Sequence, residues 1–151
     1  MQFNSTSKAK TRGQPLYDIA CAECSFKLHD PIKSLTVSDM ALYNDARFRG
    51  RSILALREHR DSWEDIEPEL LHALMDDSQT AVRAIKKATG CERVNIAALS
   101  NTVSHVHLHL IPRFPGEEAD PKRSPWRDPR PEAQMEDKKA AKLIIDIKKF
   151  L

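Results

Sequence analysis

The sequence predicts an α+β domain in which an antiparallel sheet of about five strands is covered on one face by a long helix. Three features support this prediction. Strand-like apolar segments come first, between residues 34 and 57. One long segment with helical periodicity follows, over residues 68–89. Two further strand-like segments and a final amphipathic segment, which predicts a C-terminal helix, complete the pattern.

The first strands lie in two short apolar stretches, SLTVSDMALYN and RSILAL. The DARFRG segment between them contains a glycine and two arginines, as is typical of a turn. We therefore expect two or three strands here, with a hairpin at Gly50.

The strongest helix prediction covers residues 68–89. Pro68 suits the first helical turn, and the acidic Glu67 and Glu69 lie near the positive end of the helix dipole. Gly90 stands directly after the helix, where a positive φ is usually needed. The residues that recur at helical spacing and predict the buried face are Leu71, Leu74, Met75, Ser78, Val82 and Ile85.

Beyond Gly90, the RVNIAALS and SHVHLHLIP segments predict two consecutive strands, joined by a tight connection near Ser100–Asn101. Six of the nine prolines fall between Pro112 and Pro131, which predicts a surface loop and excludes a helix or a central strand. A final helix is expected after Pro131. Its apolar face consists of Ala140, Leu143, Ile144, Ile147 and Leu151.

These elements divide the chain into a flexible N-terminal segment (residues 1–16), one domain (residues 17–130) and a C-terminal helix that packs on or extends the domain (residues 131–151). The composition is typical of a soluble globular protein, with 40% apolar and 30% charged residues. A net charge of +2 gives no overall case for a nucleic-acid partner, and no apolar run approaches the roughly 20 residues that span a membrane. Three cysteines without a secretory signal indicate a reducing compartment, so we expect a cytoplasmic protein.

Three of the six histidines alternate with apolar residues in TVSHVHLHLIPRF, residues 102–114. Side chains alternate along a strand, so His105, His107 and His109 are expected to share one face. The outer two positions are about 13 Å apart on a regular strand, which disfavours one zinc ion bound by all three rings. A row of imidazoles instead suits an extended anionic group, with one ring attacking, one donating to a phosphoryl oxygen and one orienting.

The HVHLHLI segment at residues 105–111 resembles the His-φ-His-φ-His-φ-φ signature of the histidine triad (HIT) superfamily of nucleotide hydrolases and transferases. The surrounding sequence agrees with this family. The motif is followed by PRF and preceded by two strands and a long helix, and it ends a pair of strands. The resemblance covers roughly residues 20–126. The YNDARFRG…ILALREH and NIAALSNTVSHVHLHLIPRF stretches are most similar to bacterial and archaeal HIT proteins described as dinucleoside polyphosphate hydrolase-like.

The resemblance implies a HIT-like fold, a homodimer, a nucleotide substrate and no organic cofactor. It implies that His107 attacks the α-phosphorus and forms a nucleotidyl-histidine, which water then hydrolyses. His109 would contact the α-phosphate and the leaving side, and His105 is the third catalytic candidate of the triad. Transferase branches of the superfamily tend to carry glutamine at the third triad position, so a histidine at 109 favours hydrolysis.

Four further positions are nucleotide-binding candidates by the same resemblance. Asn44 matches a family asparagine that holds the ribose hydroxyls, and Asp45 is the neighbouring candidate. Asn101 stands where the family usually has glutamine, and Thr102 supplies a hydroxyl nearby. The glycines that usually approach the triad are replaced by NIAALSN, so substrate choice stays open. Each of these side chains is equally compatible with an ordinary polar position at a strand end.

Cys21 and Cys24 form a C-x-x-C motif, which alone is compatible with zinc, redox chemistry or chance. Zinc would need two more ligands, for which His59 and His105 are the best candidates. Some HIT proteins and related transferases resemble this arrangement. Four nitrogen and sulfur ligands would make a closed, structural zinc site. The alternative ligands are His29 and His72.

The sequence therefore predicts a hydrolase that cleaves a phosphoanhydride or phosphoramidate bond in dinucleoside polyphosphates or nucleoside phosphoramidates. Neither a nucleic acid nor a membrane is expected as a partner. Two alternatives remain open: a nucleotide-binding regulatory or adaptor HIT protein with little turnover, and a zinc-dependent metalloenzyme that uses histidines of the strand.

Overall fold

The computed structural model describes residues 18–151, so the segment predicted to be flexible, residues 1–16, lies outside the described residues. Seven strands and two α-helices follow one another along the described chain. The strands are β1 (Ile19–Ala20), β2 (Lys27–Leu28), β3 (Pro31–Ser34), β4 (Ser38–Leu42), β5 (Ser52–Leu56), β6 (Arg93–Ala97) and β7 (His107–Arg113), and the helices are α1 (Pro68–Thr89) and α2 (Asp137–Lys148).

Strands β3 to β7 form one antiparallel sheet with the order β3-β4-β5-β7-β6, and β1 and β2 form a separate hairpin. The five strands and the two helices confirm the predicted α+β fold. The main core lies between one face of this sheet and the two helices. A smaller apolar cluster lies on the opposite face, where Leu28 of the hairpin packs on Ala41, Ile53 and Ala55. Neither helix is long and apolar enough to cross a membrane.

Helix α1 has the predicted bounds, because Pro68 opens it and Gly90, with φ of 69°, ends it. The predicted buried face is correct at Leu74, but Met75 is 37% exposed. The pattern also missed the buried Asp77, a polar residue on the core side of the helix. Its carboxylate accepts hydrogen bonds from the turn between β3 and β4, which explains why a charge is tolerated there.

Gly50 lies two residues before β5, in the connection where the sequence predicts a hairpin, and has φ of 93°. A Cβ atom at this position would lie 2.7 Å from Thr89 Cγ2 at the end of α1. Glycine is therefore required both for the backbone conformation and for the close approach of helix to sheet.

The prediction that prolines exclude a central strand was wrong for Pro112, which lies inside β7. Pairing of β7 with β5 ends at Leu110, whereas pairing with β6 continues to Arg113. Pro112 thus occupies a stretch with a neighbouring strand on one side only. A residue without an N–H is tolerated there because the open side requires no ladder hydrogen bond.

Two connections also differ from the prediction. The link from β6 to β7 is not tight but spans residues 98–106, and Ser100 turns it with φ of 49°. Helix α2 begins at Asp137 rather than directly after Pro131. Residues 131–136 are instead extended and lie along the segment that follows β4. This placement matters for the site, because that segment borders it.

Candidate active site and metal centre

Only two of the three patterned histidines lie on the strand. His107 and His109 are on β7 and face the open side of the sheet, beside Ala55 and Ile53 of β5. His105 precedes the strand and is 2% exposed. Its Nε2–H donates to the carbonyl of Leu56 at 2.8 Å, which turns the other ring nitrogen away from the open face. The predicted common face therefore holds for two rings, and the third belongs to a different cluster.

His107 is oriented by the backbone of its own strand. Its Nδ1 lies 2.7 Å from the carbonyl oxygen of His105, and because a carbonyl only accepts, Nδ1 must carry the proton. Nε2 is then left with its lone pair. The ring is held between Phe26, at 4.9 Å between centroids, and His109, at 5.2 Å. Such a ring is fixed in the tautomer that a nucleophile at Nε2 requires.

His109 is largely buried, and its Nδ1 has no hydrogen-bond partner among the described residues. Burial, and then the neighbouring charges of His107 and Arg51, lower the pKa of His109 from 6.5 to about 4. The ring is thus neutral near pH 7. Placing the ring proton on Nε2 avoids a buried N–H without an acceptor at Nδ1. His109 therefore offers one N–H donor beside the lone pair of His107.

Two cavities meet at these rings. The first, of about 640 Å³, has an apolar floor that includes Leu28, Ala41 and Ile53, and its rim includes Tyr43 and residues 132–134. The second, of about 590 Å³, lies on the other side of the same two rings. The side chains that line both cavities are Phe26, Lys27, His29, Tyr43, His107 and His109. A molecule extending from one cavity into the other would pass directly over the histidine pair.

The other candidates from the sequence are placed unequally. Asn101 and Thr102 line the second cavity, together with the half-exposed Trp126, whose ring meets His109 edge-on at 5.8 Å. Asn101 lies in the loop before β7 and not on the strand itself. The loop nevertheless places the side chains of Asn101 and Thr102 in the wall of the second cavity.

Asn44 lines the first cavity, but both ends of its amide are bonded to the backbone of Met135. Asp45 is fully buried and forms ion pairs with Arg47 and Arg51. Burial, the largest single effect, raises the pKa of Asp45, but the hydrogen bonds and charges of Arg47 and Arg51 together hold it below its usual value. A direct contact of Asp45 with a nucleotide is not available in this conformation, because its oxygens are enclosed. Binding of ribose by Asn44 stays a prediction.

Cys21, Cys24, His59 and His105 come together at the edge of the site, with their ligand atoms within 4.8 Å of one another. The two cysteines lie in the loop of the β1–β2 hairpin, where backbone N–H groups of Glu23 and Phe26 donate to their sulfurs. This is the ligand set predicted from the sequence, whereas the alternatives His29 and His72 lie outside the cluster.

The distances in the cluster fit tetrahedral zinc. Cys21 Sγ lies 3.6 Å from His59 Nδ1, Cys24 Sγ lies 3.5 Å from His105 Nδ1, and the two Nδ1 atoms are 3.3 Å apart. Bonds of about 2.3 Å to sulfur and about 2.0–2.1 Å to nitrogen give tetrahedral edges of about 3.5–3.6 Å between S and N and about 3.3–3.4 Å between two nitrogens. Three of the six distances between ligand atoms thus match a zinc tetrahedron, and all six lie within 4.8 Å.

The outer nitrogens of the two histidines are also satisfied as zinc ligands require. His59 Nε2 lies 3.1 Å from Asp61 Oδ1, and His105 Nε2 donates to the Leu56 carbonyl. These bonds keep the proton on Nε2 and leave Nδ1 free to bind metal. Burial is the main cause of the lowered pKa of His105, and this lower pKa also favours the neutral ring.

Phe26 connects the two centres, and the sequence alone did not single it out. It follows Cys24 closely, stacks on His105 with centroids 4.5 Å apart and planes 10° apart, and also packs on His107. The only signal in the sequence was an aromatic residue two positions after a C-x-x-C motif. The contact itself depends on how the hairpin folds onto β7.

The fold presents two histidines of the triad where two cavities meet, and it holds the third, His105, in the cysteine–histidine cluster. The HIT domain family model matches residues 38–116, which is more than half of the chain. The chain belongs to the histidine triad family.

Solved structures show the same fold. A histidine triad protein from Sinorhizobium meliloti 1021 is 26% identical over 81% of this chain and 89% of its own length, with a TM-score of 0.72. A zinc-bound histidine triad family protein from Mycobacterium smegmatis is 21% identical over 79% and 83%, with a TM-score of 0.59. Diadenosine triphosphate hydrolase from Plasmodium falciparum is 16% identical over 89% and 88%, with a TM-score of 0.57.

Proposed function

We propose that this protein is a HIT-type nucleotide hydrolase that cleaves dinucleoside polyphosphates or nucleoside phosphoramidates through a nucleotidyl-His107 intermediate. The observation that carries the proposal is the hydrogen bond from His107 Nδ1 to the carbonyl of His105, which leaves the Nε2 lone pair free between the two cavities. Membership of the HIT family and the fold shared with a diadenosine triphosphate hydrolase support it.

The reaction needs only the groups already described. Nε2 of His107 forms a bond to the α-phosphorus while the bond from phosphorus to the leaving group breaks, and the leaving group takes that electron pair. The phosphorylated ring is then cationic, and the His105 carbonyl that accepts from Nδ1–H stabilises it. Water next attacks phosphorus, the electron pair of the P–N bond returns to Nε2, and the water proton leaves to solvent. Nucleoside monophosphate is released and neutral His107 is restored.

His109 supports this reaction as a neutral donor. Because its pKa is lowered to about 4, it contributes a hydrogen bond from Nε2–H to a phosphoryl or bridging oxygen rather than a full proton. A phosphate leaving group departs as an anion and does not need that proton, whereas an amine leaving group does. We therefore expect phosphoanhydrides to be cleaved faster than phosphoramidates.

The two cavities suggest how the substrate lies. The apolar floor of the first cavity suits a base, and its rim suits a sugar. The second cavity, with Trp126, Asn101 and Thr102, would then receive the leaving group. A substrate with a nucleoside on both sides of its phosphate chain would fill both.

Zinc enters the proposal as a structural ion held by Cys21, Cys24, His59 and His105. Four protein ligands leave no open position, so the ion would fix the hairpin against β7 and take no part in the chemistry. The metalloenzyme alternative is less well supported, because neither His107 nor His109 belongs to the ligand cluster. The zinc-bound Mycobacterium smegmatis protein shows that the fold accommodates the ion.

A homodimer in the cytoplasm completes the proposal. The edge strand β6 and the loop after it expose two large apolar side chains, Ile96 and Leu99, which would suit a second copy of the sheet. Size-exclusion chromatography with light scattering measures the mass directly.

His107→Ala tests the mechanism. Removal of the nucleophile should lower kcat by at least about 10³-fold toward di(adenosine-5′) triphosphate, with binding of adenosine monophosphate retained. Turnover is measured by chromatographic product analysis, and an alkaline quench of the wild-type reaction should trap adenylate on His107. The matched control is His72→Ala, on the exposed face of α1, which should keep full turnover. Wild-type rates in His107→Ala would overturn the mechanism, and no turnover by the wild type on any member of a nucleotide panel would favour the adaptor alternative.

A further inference from the structure

Residues 130–136, here called the strap, form part of the rim of the first cavity. The strap runs along residues 43–47, directly after β4, and is fixed to them at several points. Ala46 N donates to the carbonyl of Ala133 at 2.7 Å, and Arg47 Nη1 donates to the carbonyl of Arg130 at 3.4 Å. The strap is thus held to the sheet by backbone as well as side-chain contacts.

The strap also occupies the amide of Asn44. Met135 N donates to Asn44 Oδ1 at 2.8 Å, and Asn44 Nδ2 donates to the carbonyl of Met135 at 3.3 Å. These two bonds use one N–H and one lone pair of the amide, so one of each remains for a ligand. A ribose carries two hydroxyls, so a second polar group on this rim would add to its recognition.

Glu132 is the group that the strap brings to that place. It lines the first cavity, and its side chain is 57% exposed. Tyr43 Oη donates to its Oε1 at 3.0 Å, and Arg47 Nη2 lies 3.6 Å from its Oε2. A carboxylate has about four lone-pair positions, so these contacts orient it without exhausting its capacity to accept.

We infer that Glu132 binds the ribose hydroxyls of the nucleotide and makes the site prefer ribonucleotides over 2′-deoxyribonucleotides. The inference rests on the proposed function and deepens it. A carboxylate that accepts from a sugar 2′-OH is a recurring mode of ribose recognition. Hydrogen bonds to a charged acceptor are strong, so a substrate without the hydroxyl loses a large part of its binding energy.

A second carboxylate, Asp30, lines the same cavity and is the rival candidate. It lies on the wall formed by the start of β3, where its backbone carbonyl accepts from Leu42 N. Within residues 18–151 no side-chain hydrogen bond orients its carboxylate, whereas Tyr43 orients that of Glu132. A pre-oriented group loses less entropy on binding, which favours Glu132.

The test compares kcat/KM for di(adenosine-5′) triphosphate and its 2′-deoxyadenosine counterpart. It uses the wild type and the variants Glu132→Gln, Glu136→Gln and Asp30→Asn. The wild type should prefer the ribose substrate by roughly tenfold or more. Glu132→Gln should lower kcat/KM for the ribose substrate only, so that the preference falls toward one. Glutamine keeps an acceptor for Tyr43, and an unchanged rate on the deoxy substrate shows that the strap is intact. Glu136→Gln, the same substitution at an exposed strap residue outside the cavity, should keep the wild-type preference.

An unchanged preference in Glu132→Gln would overturn the inference, as would a preference abolished by Asp30→Asn instead. Absence of turnover in the wild type would count against the proposed function alone, because the inference is also tested by binding. Calorimetry with adenosine monophosphate and 2′-deoxyadenosine monophosphate should show the same preference in the wild type and its loss in Glu132→Gln. Equal affinity of the wild type for both would overturn the inference whatever the enzyme assay shows.

Discussion

The three histidines of the triad differ in their hydrogen bonds, which determine which ring nitrogen stays available. His105 donates from Nε2 to Leu56, so its Nδ1 faces the cysteines. His107 donates from Nδ1 to the backbone, so its Nε2 faces the cavities. His109 has no partner for its buried Nδ1 within the described chain. Three residues of one type at regular spacing are thus placed differently, as the proposed roles of metal ligand, nucleophile and hydrogen-bond donor require.

The lowered pKa of His109 predicts a pH-dependent loss of stability. Between pH 6.5 and about 4 the unfolded chain binds a proton that the folded chain excludes, so stability falls as the pH is lowered through this window and is unaffected above it. The urea midpoint of the wild type should therefore decrease more between pH 7 and pH 4.5 than that of His109→Gln. His72→Gln, which changes an exposed histidine, should follow the wild type. Parallel curves for the wild type and His109→Gln would contradict the prediction.

At the level of elements, a buried carboxylate fastens α1 to the sheet. Asp77 accepts from Thr36 N at 3.1 Å, from Val37 N at 2.9 Å and from Ser38 Oγ at 2.7 Å. These donors belong to the turn between β3 and β4 and to the first residue of β4. The helix therefore completes the hydrogen bonding of a turn that is distant in sequence and fixes the angle at which it crosses the sheet.

Asp77→Asn should destabilise the protein by about 1–3 kcal/mol, because an amide nitrogen replaces one acceptor oxygen opposite buried donors. The free energy of unfolding is measured by urea denaturation at pH 7. Asp76→Asn provides the matched control, since Asp76 is exposed on the same helix and its substitution should change stability by less than about 0.5 kcal/mol. Equal effects of the two substitutions would show that the hydrogen bonds of Asp77 contribute nothing specific.

Across the whole molecule, the cysteine–histidine cluster joins three separate parts of the chain. The hairpin supplies two ligands, the loop after β5 supplies His59, and the segment before β7 supplies His105. Phe26 extends this junction to the nucleophile, because it packs on both His105 and His107. The order of the N-terminal hairpin and the position of His107 are therefore physically linked.

We expect about one equivalent of zinc in the purified protein, measured by mass spectrometry of the metal. Cys21→Ser should lose the metal and lower Tm by at least roughly 5 °C, because the hairpin loses its attachment to the sheet. Cys91→Ala removes the remaining thiol, which lies in the core and outside the cluster, and should keep the full zinc content. If the wild type contains no zinc after growth in zinc-supplemented medium, the C-x-x-C motif does not bind zinc and the prediction is wrong.

Short-range features of the sequence predicted the two helices, most of the strands and the family to which the chain belongs. Pro68 and Gly90 gave both ends of α1, since caps and turns act on their immediate neighbours. The alternating histidines and the C-x-x-C motif are also short-range patterns, and the resemblance to the HIT family added the expectation that His107 is the nucleophile. The prediction failed at Pro112 because residue type alone carries no information about which side of a strand is paired.

Only the tertiary structure decided which distant residues meet. The contact of the strap with Asn44 and the packing of Phe26 on His107 both join segments that are far apart in the chain. No periodicity records such contacts, because they follow from the order of strands in the sheet and from where the C-terminal segment returns. The sequence by itself determined the histidine triad and named His59 and His105 as the best candidate partners of the C-x-x-C motif. The fold decided that the two would share a wall and that the strap, with Glu132, would close the rim.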